Sequence, residues 1–175
     1  MCACVAEVLT DSSYSGYLDS FEYTGPWVSG GGAMGSDVQS VLTIDACTHS
    51  HFSESQVIRD VQKAVLAFSC CEPGQVISTG RWGCGVFGGT PAHKFAQQLV
   101  AAAMSGAALQ FSTFGTPDGC DEILTGVLAV QEQAGAEAVS AGRLLAAILA
   151  CEGCRPGPGG GGGEFVQRFL AALRA

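Results

Sequence analysis

Between Ser53 and Phe68 the apolar residues Val57, Ile58, Val61, Ala64, Val65 and Phe68 fall three and four apart, with polar residues filling the gaps. That spacing predicts an amphipathic helix. Ser53 with Gln56 reads as its capping-box start. Four short apolar runs without helical period predict strands: Cys2–Leu9, Val38–Ile44, "QVIST" and "AALQFSTF". Thr90 and Pro91 open another helix, the threonine as N-cap and the proline in the first turn, where its missing N–H costs nothing. Phe95, Leu99, Val100 and Ala103 line one face of it, and Gly106 ends it. Two further helices are expected near Asp118–Gln133 and Ser140–Cys151. A last apolar stripe, Phe165, Phe169, Leu170 and Leu173, predicts a short terminal helix that docks on the body.

Strands alternating with helices argue for an α/β fold, a sheet covered on both sides. A chain of 175 residues suits one domain, 1–175. Residues 21–37, with the "SGGGAMGSD" patch, read as an insertion loop. The Gly/Pro-rich stretch 156–163 is a low-complexity break too short to separate domains. Four strands alone leave an unpaired edge.

Composition narrows the partners. Hydrophobic residues make up 47% and charged residues 14%, with a net charge of -8. A large core is available, and the basic face of an electrostatic DNA binder is not, so no direct DNA binding is expected. A nucleotide held by backbone N–H groups remains compatible, because that mode needs little positive charge. No run of 18 apolar residues suggests a membrane span, and "MCACVAEVL" lacks the charged start of a secretory signal. The nine cysteines lie mostly in apolar or glycine-rich surroundings and read as reduced thiols of an intracellular protein, in nucleus or cytoplasm. Cys151 with Cys154, Cys2 with Cys4, and His49 with His51 do not assemble the two spaced pairs of a zinc site. The two histidines read as surface loop residues. No metal and no cofactor are expected.

The densest signal is "STGRWGCGVFGGTPAHKF", Ser78 to Phe95. It holds Gly80, Gly83, Gly85, Gly88 and Gly89, with Trp82 and Phe87 among them. A strand, a glycine loop and a helix N-terminus together form a physical answer to phosphate: free amides, a partial positive charge and no Cβ in the way. The plainer alternative is a tight strand-to-helix turn. Five glycines exceed what a turn needs. No Gly-Lys-Ser/Thr follows, so it is not a Walker loop, and the helix begins too late for a Rossmann loop. Trp82 reads as an anchor of the loop on the core. Phe87 is either a second anchor or the wall of a ribose pocket.

With "LQFSTFG" one helix later, this loop closely resembles the poly(ADP-ribose) glycohydrolase family, whose loop reads T-G-N-W-G-C-G-x-F-G-G and whose next strand ends Y-F-T-F-G. "SSYSGYLDSFEY" is similar to the family's Y-S-E-Y-T-G-Y segment, "LTIDACTHSHF" to its I-D-A-L-H-F strand, and "CEGCRPGPG" more weakly to its tail. The resemblance implies a partial macrodomain-like three-layer fold, a mixed sheet flanked by helices, with a helical C-terminal extension. It implies poly(ADP-ribose) or ADP-ribose as partner. Gly83, Cys84, Gly85, Val86, Phe87, Gly88 and Gly89 would wrap the diphosphate, with Phe87 beside the distal ribose. Tyr14 and Phe114 would sandwich the adenine, a stacking worth ~1–3 kcal/mol per base.

Two departures matter. Arg81 stands where the family has asparagine, to pair with phosphate or to crowd the ribose pocket. The family's acid chemistry sits on a G-G-G…Q-E-E signature, one glutamate protonating the leaving ribose oxygen. This chain has no Glu-Glu pair. "GGGAMGSDVQSV" carries Ser40 and Val41 where the glutamates would stand and follows the Tyr14 segment instead of preceding it; "QEQ" at Gln131–Gln133 lies on a helix. No catalytic residue is therefore assigned. The expectation is a chain that begins inside the catalytic domain, after that signature, with an upstream half of the same domain as a further partner.

Overall fold

A computed structural model describes residues 5–7, 13–15, 20, 22–25, 41–113, 115, 117–135, 139–155 and 162–175. The order is β1 (Val5–Glu7), β2 (Ser13–Ser15), β3 (Glu22–Gly25), β4 (Val41–Thr43), α1 (Glu54–Phe68), β5 (Val76–Thr79), α2 (Pro91–Ser105), β6 (Ala108–Phe111), α3 (Cys120–Ala134), α4 (Ala141–Leu149) and α5 (Gly163–Arg174). β1 pairs antiparallel with β4, Ala6 opposite Leu42. β2 and β3 form an antiparallel pair with Tyr14 opposite Tyr23. β5 and β6 run parallel, Ile77 opposite Leu109, and α2 is the crossover between them. Parallel neighbours require such a crossover, since a tight turn cannot reverse the chain twice. The result is a mixed α/β fold, a small parallel sheet flanked by helices.

The three strand pairs add two short strands to the four expected. β2 and β3 are three and four residues long, too short for a hydrophobic period to announce them. β3 occupies residues 22–25 of the segment 21–37 expected to loop out; residues 26–37 of that segment lie outside the described residues.

α2 is the hub. Positions 91 to 102 are buried all around except for half-buried Leu99, because α1, α3, α4, α5 and β6 all pack against it. The expected single apolar face is thus too narrow a description, and Ala103, placed on that face, is exposed. Gly106 ends the helix in the left-handed region at φ 70°, its amide returning to the Ala102 carbonyl, a conformation that costs glycine little. The main core joins Val57 and Val61 of α1, Phe95 and Val100 of α2, Ile123 of α3, Ile148 of α4, and Phe165, Phe169 and Leu173 of α5. The terminal helix docks as its stripe requires.

Three small residues from separate parts of the chain meet at the start of α2. A Cβ built on Gly119 would stand 3.2 Å from the Cβ of Ala92, and one on Gly162 would stand 2.9 Å from it.

The expected capping box does not form. The Ser53 hydroxyl donates to the Ser50 carbonyl at 2.9 Å, closing the turn before α1. Its place at the helix start is taken by the Glu152 carboxylate, 3.5 Å from the Glu54 amide. The negative group still faces the positive helix end, but it arrives from a distant loop. Thr90 precedes α2 as expected, yet its hydroxyl caps no amide.

Candidate functional site: the glycine-rich loop

The loop from Gly80 to Gly89 leaves β5 and delivers the chain to α2. Its base is clamped. The Trp82 indole N–H donates to the Ile44 carbonyl at 3.0 Å, which makes Trp82 the anchor expected. The Gln98 side chain accepts from the Thr79 hydroxyl at 2.7 Å and donates to the Gly80 carbonyl at 3.2 Å. The Gly89 amide closes on the Gly83 carbonyl at 2.9 Å. At Gly83, φ is 74° and a Cβ would stand 2.5 Å from that of Ala46. At Gly89 a Cβ would stand 2.7 Å from the Gly83 carbonyl oxygen. Folding alone demands these two glycines.

Gly85 differs. Its φ is not positive, it is exposed, and a Cβ there meets nothing within 4 Å. The fold does not need a glycine at this position. The N–H groups of Gly85, Val86 and Phe87 donate to no group among the described residues. Val86 is 77% exposed and Phe87 40%, so Phe87 is no core anchor. The tip therefore exposes three successive residues whose amides have no partner among the described residues, ahead of the N-terminus of a 15-residue helix. Both features favour an anion.

Beneath the loop lies a dry ion pair that the sequence reading did not single out. The Lys94 ammonium meets the Asp60 carboxylate, and both side chains are fully buried. Asp60 also accepts from Arg59 at 2.6 Å and from the Cys47 amide at 3.0 Å. Lys94 lies 5.0 Å over the Trp82 ring and stands behind both packed glycines. Removing one partner of such a pair leaves an uncompensated buried charge, costing about 3–5 kcal/mol. A signal for Asp60 was available. It sits three residues from Val57 and four from Ala64, on the apolar stripe of α1 where an unpaired carboxylate does not belong.

His51 corrects another expectation. It is not a surface loop residue: it is 8% exposed, with Nδ1 at 3.0 Å from Cys47 Sγ and Nε2 at 2.6 Å from the Phe87 carbonyl oxygen. His49 is exposed, as expected. Burial pushes the thiols of Cys47 and Cys84 up to about 11, so both stay protonated near neutrality and neither is an activated nucleophile. The seven cysteines among the described residues are free thiols. No group of three or more His, Cys, Asp or Glu among the described residues is placed to hold a metal. No helix among them is long and apolar enough to cross a membrane.

Arg81 lies against the protein: its guanidinium donates to Asp118 at 3.0 Å and to the Thr113 carbonyl at 2.8 Å, tying the loop to the end of the strand after α2. Cys84 is half-buried, its Sγ 3.6 Å from the Trp82 carbonyl oxygen. Gly88 closes the tip, its amide donating to Gly85 at 3.0 Å. Tyr14 lies on β2 by its backbone; its side chain, like the whole of Phe114, falls outside the described residues.

The site is thus a clamped glycine loop on a parallel strand–helix crossover. The family model for poly(ADP-ribose) glycohydrolase, of macro domain fold, matches residues 2–121, and the chain belongs to that family. It is 35% identical over 75 residues to poly(ADP-ribose) glycohydrolase 1 of Caenorhabditis elegans, a match covering 41% of this chain and 10% of the relative. It is 35% identical over 86 residues to poly(ADP-ribose) glycohydrolase 2 of the same organism, covering 45% of this chain and 18% of that relative. The chain thus spans under a fifth of the length of these curated relatives.

Proposed function

We propose that this chain supplies the ADP-ribose-binding wall of a poly(ADP-ribose) glycohydrolase domain. The loop from Gly83 to Gly89 takes the diphosphate, Phe87 borders the distal ribose, and Tyr14 and Phe114 hold the adenine between them. The complete domain hydrolyses the ribose–ribose bonds of poly(ADP-ribose). The single observation carrying this reading is the tip itself, where three amides without a partner among the described residues include that of a glycine the fold does not require. An anion lying against Gly85 gives both a reason.

Gly85→Val tests it. The added side chain has open space in the free protein, so folding stability should change by less than about 0.5 kcal/mol, as for surface positions generally. ADP-ribose binding, followed by calorimetry, should fall below detection, because the valine occupies the anion's place. Retained affinity in a folded Gly85→Val variant sinks the proposal.

A second reading is favoured by one sequence fact, the lack of any Glu-Glu pair. On that reading the chain is an ADP-ribose-binding module that does not cleave. The loop would serve either reading equally, and turnover separates them.

A further inference from the structure

The tip of the glycine loop is held to the body from one side. Among the described residues, His51 is the one side chain that hydrogen-bonds any of residues 85 to 88. A carbonyl oxygen only accepts, so the contact with Phe87 places the imidazole proton on Nε2. In the neutral imidazole Nδ1 is then an acceptor, and it lies 3.0 Å from Cys47 Sγ. The Cys47 sulfur in turn lies 3.6 Å from the Lys94 ammonium, and Lys94 rests on Asp60. In that tautomer one run of contacts links Lys94, Cys47, His51 and Phe87, with Lys94 donating to Cys47 and His51 donating to Phe87. A buried chain of this kind leaves its last member little freedom of orientation.

The consequence for the loop is geometric. In a trans peptide the C=O and the following N–H point in opposite directions. With the Phe87 carbonyl drawn inward to His51, the Gly88 N–H points away from it and closes on the Gly85 carbonyl at 3.0 Å. That closure shapes the turn in which the amides of Gly85, Val86 and Phe87 keep no partner among the described residues. We propose that His51 is the positioning residue of this loop, setting the anion-binding amides in place before any ligand arrives. The proposal rests on the reading of the loop as a diphosphate site. Preorganisation lowers the ordering cost that binding would otherwise carry.

The experiment uses His51→Ala and His51→Gln beside the unchanged chain. Glutamine can present its Nε2–H near the imidazole Nε2, while alanine cannot. Without ligand, amide exchange at Gly88 and Gly89 should quicken in His51→Ala and recover in His51→Gln. With ligand, the alanine variant should bind ADP-ribose roughly tenfold more weakly, the scale of one lost hydrogen bond, with glutamine again restoring most of the loss. Unchanged exchange and affinity in a folded His51→Ala variant overturn the proposal. If the alanine variant does not fold, the nitrogen spectrum of the unchanged chain decides: a proton on Nε2 supports the pin, and a proton on Nδ1 alone overturns it. Failure of the unchanged chain to bind ADP-ribose overturns the diphosphate reading by itself, and the ligand-free exchange rates then decide for or against the pin.

Discussion

His93 stacks on Phe52 at 4.3 Å and meets Phe165 edge-on at 4.9 Å, fully buried on α2. Its Nε2 lies 3.2 Å from the Gln97 amide nitrogen. Loss of solvent, and then the charges of Lys94 and His51, push its pKa down from 6.5 to about 3. Between those values the unfolded chain binds a proton that the folded chain refuses. Stability is therefore complete above pH 6.5 and falls as the pH drops toward 3, with a slope approaching the one-proton limit of about 1.4 kcal/mol per unit. Urea unfolding from pH 7.5 to 4 should show that slope reduced in His93→Leu. Parallel curves for the two proteins would mean that other groups set the acid limit. The residue-level chemistry of the loop was mixed in its legibility. Glycine loop and Trp82 anchor were readable because their residue types are costly without a reason. His51 was not, because burial of a histidine beside Phe87, thirty-six positions away, leaves no local mark.

Among the elements, α5 best joins what its pattern promised to what packing made of it. Phe165, Phe169 and Leu173 are at most 1% exposed, and the helix packs on α2, α3 and α4. Phe169→Ala removes a whole ring from this contact and leaves a cavity, so it should destabilise the protein by about 3–5 kcal/mol. Urea unfolding at neutral pH checks it; a loss below about 1 kcal/mol would mean that α5 is not part of the cooperative core. The helices were legible because burial of one stripe imposes a period on ten or more residues. β1 to β4 are three or four residues each, where a period of two is counted once or twice. The start of α1 misled for another reason. Ser53 and Gln56 have the capping types, but Glu152, near in space and far in sequence, reached the helix end instead.

Among the described residues α2 is the central element: it begins, deeply buried, at the glycine loop and reaches the surface at Ala103 and Met104. Chemistry is a separate matter. The resemblance assigns proton donation to a Glu-Glu pair, and the 175-residue sequence has none. Tested by itself, the chain should release no ADP-ribose from poly(ADP-ribose), by a chromatographic assay of the free product. Release above that of Gly85→Val would locate a proton donor among other carboxylates and discard the binding-only reading. The glycine loop could be read in the sequence because it is continuous; its role as a diphosphate site is a proposal. The proposed adenine pair, Tyr14 and Phe114, lies a hundred positions apart, and only the family likeness suggested it. The meeting of Ala92, Gly119 and Gly162 has a bearing on descent. A larger residue at Gly119 meets Val166 as well as Ala92, and one at Gly162 meets Ala92, so these distant codons are not free to change one at a time. Related sequences should carry small residues at all three places or change them in company, while the exposed tip that precedes them drifts under a separate rule.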